Sequence, residues 1–138
     1  MNIEYLPLRQ LNSRFRDTIN HATQQLLSSG RYLKGDATAQ FEKAYARYIG
    51  TQHCVGCGNG FDALQLIFRA YIELGRLQLG DEVLVPANTF IASILAITEN
   101  QLTPVLIEPR MADMQIDDSL LERAITSRTR AVLLVHLY

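Results

Sequence analysis

The backbone groups best suited to chemistry lie in one glycine-rich segment, Cys54-Val-Gly-Cys-Gly-Asn-Gly-Phe-Asp-Ala-Leu64. A short run typical of a strand, residues 53–57, leads into it, and a strongly apolar run typical of a helix, residues 62–74, follows its last glycine. A glycine-rich turn at the start of a helix leaves backbone N–H groups unpaired at the positive end of the helix dipole. The segment therefore predicts a phosphate-binding site.

A dinucleotide is one candidate for that phosphate. The residues Gly58-x-Gly60-x-x-Ala63 satisfy the loose G-x-G-x-x-A pattern between a strand and a helix. A dinucleotide site also needs an acidic residue at the end of the second strand, where it binds the ribose hydroxyls. Here Asp81 and Glu82 lie at the start of that strand instead, which disfavours the dinucleotide.

Pyridoxal phosphate is the candidate that the surrounding residues favour. This cofactor needs a helix N-terminus for its phosphate, an aromatic side chain against its ring, a carboxylate at the pyridine nitrogen and a Schiff-base lysine. Gly60 and Phe61 offer the N–H groups, with Asn59 in the same turn. Phe90 follows the next predicted strand, so in a parallel sheet it emerges at the same edge as the turn. A triphosphate loop is excluded because the sequence has no Gly-Lys-Ser or Gly-Lys-Thr, whereas glycines that serve only a tight turn stay an open alternative.

Two amphipathic helices and an exposed loop precede this turn. The apolar spacing predicts a helix over residues 13–28 with Ser13 as its N-cap. A turn-rich loop follows over residues 28–35. The helical pattern returns over residues 37–49, and Gly50 suits a left-handed helix end.

From residue 52 onward, alternating strand and helix patterns predict a parallel α/β sheet with right-handed crossovers. Asn88 or Thr89 is the expected N-cap of the second of these helices, and Asn100 its left-handed stop. The continuous apolar run 131–135 is typical of a strand that is buried on both faces. The predicted strands cover residues 53–57, 82–85, 103–107 and 131–135, and the predicted helices cover residues 62–74, 89–99 and a short segment capped by Asp117 or Asp118.

Composition favours an ordinary globular protein. Of the 138 residues 48% are hydrophobic and 20% are charged, with a formal net charge of −1, so nothing in the charge favours nucleic acid or an anionic membrane as a partner. No apolar run approaches the roughly 20 residues of a membrane span. The N-terminus lacks the pattern of a signal peptide, which makes the cytoplasm the expected location.

Cys54 and Cys57 have the C-x-x-C spacing of a redox pair or of half a zinc site. No second Cys/His pair follows at a suitable distance, and an offset of three along a strand places the two side chains on opposite faces. We therefore expect two reduced, buried thiols and no metal.

The chain ends at Tyr138, three residues after the last predicted strand. A parallel sheet needs helices on both faces, and no helix follows this strand. We therefore expect the first part of a longer protein, with an N-terminal helical segment over residues 1–50 and the beginning of a larger α/β domain over residues 51–138.

Several segments together resemble the DegT/DnrJ/EryC1/StrS family of sugar aminotransferases, in order and spacing, from about residue 28 onward. They are Ser29-Gly-Arg-Tyr-Leu-Lys-Gly35 with Phe41-Glu42, Gly58-Asn-Gly-Phe-Asp-Ala-Leu64, Gly80-Asp-Glu-Val-Leu-Val-Pro-Ala-Asn-Thr-Phe-Ile-Ala92, Ile125-Thr-Ser-Arg-Thr-Arg-Ala131 and Val135-His-Leu-Tyr138. The resemblance implies the start of the type I pyridoxal-phosphate aminotransferase fold, a parallel-rich sheet with helices on both faces, preceded by N-terminal helices.

The resemblance also implies roles for particular residues. It assigns the cofactor phosphate to the backbone at Gly60 and Phe61, after Asn59, and it assigns Phe90 to the cofactor ring. Relatives usually have a small or hydroxylated residue in place of Phe61, so only its amide is carried over. The loop that contains Tyr32 and Lys34 lies near the active site in relatives, which makes these two residues candidates for substrate binding.

The implied activity is transfer of an amino group, with glutamate as donor, to a keto sugar linked to a nucleoside diphosphate. Such sugars enter polysaccharides or glycosylated natural products, and the family implies a homodimer. The family's aspartate and Schiff-base lysine fall beyond position 138, and the two lysines here, Lys34 and Lys43, do not match that pattern. We therefore expect no catalytic residue in this chain and no activity from it alone. The alternative is a non-catalytic α/β module that binds phosphate or mediates dimerisation.

Overall fold

Six helices and three strands are present in residues 4–137, the part of the chain that the computed structural model describes. The chain divides into two units, of which the first extends to Gly56 and the second begins at Cys57. The first unit contains helices α1 (Leu8–Ser13), α2 (Arg16–Ser29) and α3 (Asp36–Ile49). The second unit contains α4 (Gly60–Glu73), β1 (Glu82–Pro86), α5 (Ile91–Glu99), β2 (Thr103–Ile107), α6 (Asp118–Ala124) and β3 (Thr129–Val132).

In the first unit α3 and the end of α2 follow the prediction, whereas helix α1 was not predicted and α2 begins later than expected. Gly50 ends α3 with a φ of 82°, and its N–H donates to Ala46 O, so the predicted left-handed end is confirmed. The predicted N-cap at Ser13 is wrong. Ser13 is the last residue of the separate helix α1, and its hydroxyl donates back to Gln10 O at 2.7 Å, so it is not available to cap α2.

The second unit is built on a parallel sheet with strand order β2-β1-β3, which confirms the predicted parallel arrangement. The central strand β1 is buried along its whole length and pairs in register with β2, from Glu82 opposite Thr103 to Pro86 opposite Ile107. Alternate residues of β1 pack into a core with α4 and α5. This core consists of Phe68, Leu77, Val83, Val85, Ala96, Ile97 and Leu102.

The pairing of β1 with β3 contains a one-residue irregularity. Glu82 lies opposite Thr129, but Val83 lies opposite Ala131, so Arg130 is the extra residue. Without this irregularity, Arg130 and not Ala131 would be the partner of Val83. The irregularity therefore keeps Ala131 packed against the apolar core and leaves Arg130 exposed.

The side chain of Glu82 fixes this register from the amino end of β1. Glu82 is 3% exposed, and its carboxylate accepts hydrogen bonds from Thr126 Oγ1 at 2.6 Å, Arg128 Nη2 at 2.6 Å and Thr129 Oγ1 at 3.2 Å. The Thr126 hydroxyl is the main cause that lowers the pKa of Glu82. Burial opposes this shift, and Arg128 and Thr129 add to it.

The predicted strand over residues 53–57 is wrong, because this segment is irregular. A strand forms only when a neighbouring strand accepts its ladder hydrogen bonds, and no strand of residues 4–137 pairs with it. The Gly56 N–H instead donates to the carboxylate of Glu42 at 2.7 Å, and the Thr51 hydroxyl donates to His53 O at 3.0 Å.

The predicted burial of residues 131–135 on both faces is also wrong. Strand β3 ends at Val132, and burial alternates along the segment, with Val132 46% and Leu134 56% exposed. An edge strand that is covered on one face shows this alternation, and β3 is an edge strand of the described sheet.

Both ends of α5 differ from the sequence prediction, whereas the predicted cap of α6 is confirmed. Neither Asn88 nor Thr89 caps α5, because Phe90 is its N-cap residue and makes no side-chain cap bond. Asn100 has a φ of −90°, and the left-handed residue is its successor, Gln101, with a φ of 57°. Asp117 does cap α6, since its carboxylate accepts from Ser119 N at 3.0 Å.

Both cysteines are free thiols, but their predicted burial is wrong for Cys57. Cys54 is half-buried, whereas Cys57 is exposed and its Sγ donates to Asn59 O at 3.5 Å. Since residues 53–57 form no strand, no sheet covers the pair. Within residues 4–137, no three or more His, Cys, Asp or Glu side chains form a group that could hold a metal. None of the helices described above combines the length and apolar character that crossing a membrane requires.

Candidate cofactor site

The helix α4 begins with a reciprocal cap between Asn59 and Asp62. Asn59 Oδ1 accepts from Asp62 N at 3.0 Å, while Asn59 Nδ2 donates to Asp62 Oδ2 at 3.2 Å. The Ala63 N–H donates to Asn59 O at 3.1 Å. The cap satisfies one of the four N–H groups that the start of an α-helix leaves unpaired, that of Asp62, and the Ala63 bond is the first bond of the helix itself.

The N–H groups of Gly60 and Phe61 also belong to these four, and they have no acceptor in the part of the chain that the structure describes. Both lie in the first turn of a 14-residue helix, at the positive end of its dipole. The site therefore offers two adjacent donors and a favourable field to an anion such as a phosphate.

The three glycines of this turn serve different purposes. A Cβ added at Gly56 would lie 3.3 Å from Glu42 Oε1, and one at Gly58 would lie only 2.6 Å from Asp62 Oδ2. A Cβ at Gly60 would meet nothing within 4 Å, and the φ of Gly60 is not positive. A Cβ at Gly58 would therefore displace the Asp62 carboxylate, whereas neither packing nor backbone conformation calls for a glycine at position 60. The open space beside Gly60 suits the close approach of a ligand.

A pair of alanine substitutions separates these purposes. We expect Gly58→Ala to displace the Asp62 carboxylate, break its bond to Asn59 and lower the free energy of unfolding by about 1 kcal/mol. We expect Gly60→Ala to leave that free energy unchanged or slightly raised, because alanine favours helix and meets open space. Urea denaturation measures the free energy of unfolding of both variants. An equal decrease for Gly58→Ala and Gly60→Ala would contradict the different roles of the two glycines.

The side chain of Phe61 is half-buried and packs against the apolar core. It therefore contributes apolar contact to the fold, whereas a hydroxyl at this position would be a further donor for an anion. The amide of Phe61 is the group that remains for a ligand.

Phe90 is 74% exposed, although a phenylalanine at the start of a helix is more often part of the core. It is the N-cap residue of α5, which packs against α4, and it follows the carboxyl end of β1. Ligands of open α/β sheets bind at this edge. An exposed aromatic face at such a position suits stacking on a flat ring.

The two predicted substrate-binding residues lie in the loop before α3. Tyr32 is 58% exposed, and its hydroxyl donates to Leu27 O at 3.3 Å. Lys34 is exposed and has a φ of 50°, a conformation that few non-glycine residues adopt. Both belong to the first unit, whereas the glycine turn begins the second, and their role in substrate binding stays a prediction.

A hairpin over residues 108–117, which follows β2, has no clear sequence signal beyond Asp117. It is closed by an antiparallel bridge between Pro109 and Ile116. The Arg110 guanidinium contacts Asp113 at 2.9 Å and Asp118 at 2.8 Å. Its hydrogen bond is the main cause that lowers the pKa of the Asp113 carboxyl.

Asn88 connects this hairpin to the edge of the sheet. Asn88 Nδ2 donates to Met114 O at 2.9 Å, a bond between residues 26 positions apart in sequence. The apolar and polar pattern of the chain gives no indication of such a long-range contact.

A family model described as the DegT/DnrJ/EryC1/StrS aminotransferase family matches residues 14–138. The chain belongs to this aminotransferase family. This confirms the resemblance that the glycine turn, the Phe90 segment and the surrounding motifs carry.

A curated relative within the family shows how close the similarity is. The dTDP-3-amino-3,6-dideoxy-alpha-D-galactopyranose transaminase of Aneurinibacillus thermoaerophilus is 50% identical over 136 residues, which cover 99% of this chain and 36% of the relative. The chain spans about a third of the length of the curated relatives that it matches.

Solved structures of the family have the same fold. DesV of S. venezuelae, solved in complex with a ketimine intermediate, matches with a TM-score of 0.87 and 44% identity over 99% of this chain and 36% of its own. The PLP-form of a putative sugar aminotransferase from Streptococcus pneumoniae matches with a TM-score of 0.66 and 34% identity over 72% of this chain and 24% of its own. The predicted fold class, the start of the type I aminotransferase fold, is confirmed.

Proposed function

We propose that the protein is a pyridoxal-phosphate-dependent aminotransferase whose substrate is a keto sugar linked to a nucleoside diphosphate. Glutamate gives up its amino group and becomes a 2-keto acid, and the sugar carbonyl becomes an amine. The name of the Aneurinibacillus relative supports dTDP as the nucleotide and carbon 3 as the position of the amine. The product would serve the synthesis of a polysaccharide or a glycosylated natural product.

The single observation that carries this proposal is the pair of unpaired N–H groups at Gly60 and Phe61 beside an open glycine position. These groups fit the phosphate of the cofactor. The exposed ring of Phe90, at the start of the helix that packs against α4, fits its pyridine ring. When bound, pyridoxal phosphate supplies the electron sink that allows an amino group to move between two substrates.

The residues of this chain bind and orient; we propose that none of them is catalytic. Gly60 and Phe61 bind the phosphate, Asn59 holds the turn through its cap with Asp62, and Phe90 fixes the plane of the ring. Tyr32 and Lys34 are proposed to approach the substrate, although neither is a candidate for covalent attachment of the cofactor.

We further propose that residues 1–138 belong to a longer, homodimeric polypeptide and are inactive by themselves. The chain spans only about a third of the length of its curated relatives, which supports a longer polypeptide. The isolated 138-residue polypeptide should not produce the absorbance shift of a lysine-bound cofactor, whereas the full-length gene product should. Sedimentation of the full-length gene product tests the dimer.

A substitution at Phe90 tests the ring contact. We expect Phe90→Ala to weaken cofactor binding by on the order of 1 kcal/mol, about fivefold, because one stacking contact is lost. Since Phe90 is 74% exposed, the unfolding midpoint of the cofactor-free protein should barely change. Equilibrium dialysis of the full-length gene product measures the affinity, and an unchanged dissociation constant would exclude Phe90 from the site.

Activity is tested with the full-length gene product, the cofactor, glutamate and dTDP-linked 3-keto and 4-keto sugars. We expect an amino sugar from the 3-keto substrate, detected by mass spectrometry. Product from the 4-keto sugar alone would correct the position of the amine. Cofactor or phosphate binding without transfer to either sugar would instead support the non-catalytic module.

A further inference from the structure

Asn88 lies between the strand that leads to the site and the hairpin over residues 108–117. It comes two residues after the end of β1 and two residues before Phe90, and its Nδ2 donates to Met114 O at 2.9 Å. A backbone carbonyl can only accept, so the amide nitrogen must face Met114 and the orientation of the side chain is fixed.

This orientation leaves the other end of the Asn88 amide without a partner. Asn88 Oδ1 is buried and has no hydrogen-bond donor among residues 4–137, and it is the one such side-chain atom found there. A buried acceptor without a donor lowers stability, and an apolar side chain of similar size would avoid that loss. Fold stability alone therefore does not account for an asparagine at this position.

The hairpin that Asn88 contacts has several hydrogen bonds of its own. Arg110 N donates to Gln115 O and Met114 N donates to Arg110 O, both at 2.8 Å, and Asp113 Oδ1 accepts from Gln115 N at 3.1 Å. Met114 itself has a φ of 57°, which a non-glycine residue adopts only where its surroundings enforce it. These bonds connect Met114 to both sides of the hairpin, so we expect a bond at Met114 to restrain the hairpin as a whole.

We propose that Asn88 is a positioning residue, which fixes the hairpin over residues 108–117 against the turn that presents Phe90 and so prepares this edge of the sheet for the cofactor ring. The proposal rests on the proposed function, because it takes Phe90 as the ring contact. Asn88 does not itself need to touch the cofactor.

The test compares Asn88→Leu with Asn100→Leu in the full-length gene product. Asn100 is a matched control: its Nδ2 also donates to backbone carbonyls, Ala96 O at 2.9 Å and Gln65 O at 3.3 Å, but it lies at the far end of α5 from Phe90. We expect Asn88→Leu to raise the cofactor dissociation constant threefold to tenfold, with an unfolding midpoint that is unchanged or raised. We expect Asn100→Leu to lower the midpoint and leave the dissociation constant unchanged.

An unchanged dissociation constant for Asn88→Leu would overturn the proposal, and so would an equal rise for both variants, since that would reflect lost stability alone. If leucine prevents folding at position 88, Asn88→Ala serves in the same comparison, with the same outcomes.

Hydrogen exchange of the cofactor-free protein provides a readout that does not depend on the proposed function. We expect Asn88→Leu, but not Asn100→Leu, to speed exchange at the amides of residues 110–115. Unchanged exchange would overturn the positioning role. A wild-type protein that binds no cofactor, with faster exchange in Asn88→Leu, would contradict the proposed function and leave the hairpin bond supported.

Discussion

Replacing Gly60 with aspartate should abolish cofactor binding at micromolar concentrations while leaving the protein folded. A Cβ at Gly60 meets nothing within 4 Å, so the new side chain fits the fold. A carboxylate in the first turn of α4 even favours the helix, by about 0.3–1 kcal/mol. The same carboxylate repels a phosphate held by the N–H groups of Gly60 and Phe61, and we expect the dissociation constant to rise on the order of a hundredfold or more.

Gly60→Asn is the matched control for this experiment, because asparagine has nearly the shape of aspartate but no charge. We expect Gly60→Asn to weaken cofactor binding less than Gly60→Asp does. The difference between the two variants measures the electrostatic repulsion of the phosphate, apart from the steric effect of a larger side chain. Equilibrium dialysis of the full-length gene product measures the cofactor dissociation constant, and urea denaturation measures the free energy of unfolding. Equal affinities for wild type and Gly60→Asp would show that the phosphate binds elsewhere.

The second large effect concerns stability, at Glu82. We expect Glu82→Gln to destabilise the folded protein strongly at neutral pH, because a neutral amide cannot accept from Thr126, Arg128 and Thr129 as the carboxylate does. Glu73 provides a matched control. Its contact with Arg69, at 2.7 Å, is similarly short, but both side chains are more than half exposed, so Glu73→Gln should change stability by less than about 0.5 kcal/mol.

The effect at Glu82 should depend on pH. Its pKa in the folded protein lies below the ordinary value of 4.5, so the carboxylate contributes stability that is present above that value and is lost as the pH falls through the folded pKa. Arg128 is the charged group that faces it, with Nη2 at 2.6 Å from Glu82 Oε1. The difference in urea midpoint between wild type and Glu82→Gln should therefore shrink from pH 7 to about pH 3. A difference that is constant with pH would contradict the carboxylate's role.

Local patterns predicted the helices α3, α4 and α5 and the parallel strands β1 and β2 to within two residues. Hydrophobic spacing and glycine stops act over one or two turns, so α3 and its end at Gly50 could be found from sequence. Such patterns do not show which of two neighbouring polar residues caps a helix. Ser13 is the last residue of the short helix α1 and does not cap α2. The N-cap residue of α5 is Phe90, and not Asn88 or Thr89.

Features that depend on distant partners were predicted less well. The strand expected over residues 53–57 and the burial expected over residues 131–135 both require neighbours that no local pattern specifies. The contact between Asn88 and Met114, and the bonds of Glu82 to residues 126–129, join segments that are 26 to 47 positions apart. Side-chain pairing at such separations is set by the fold, and the sequence of either segment alone does not show it.

For the candidate site, the sequence predicts the glycine turn and Phe90 as cofactor contacts, and the structure adds how each of these residues is packed. The structure distinguishes Gly58, where an added Cβ would displace the Asp62 carboxylate, from Gly60, where it would meet nothing within 4 Å. It also shows that the Phe61 side chain packs against the core, so the amide is the group left for a ligand.

We propose above that the amides of Gly60 and Phe61 hold the phosphate of pyridoxal phosphate. The most direct measurement is a crystal structure of the full-length gene product with this cofactor. We expect phosphate oxygens within about 3 Å of the nitrogen atoms of Gly60 and Phe61, with the ring of Phe90 against the cofactor ring. A cofactor whose phosphate lies away from these two amides would contradict the account.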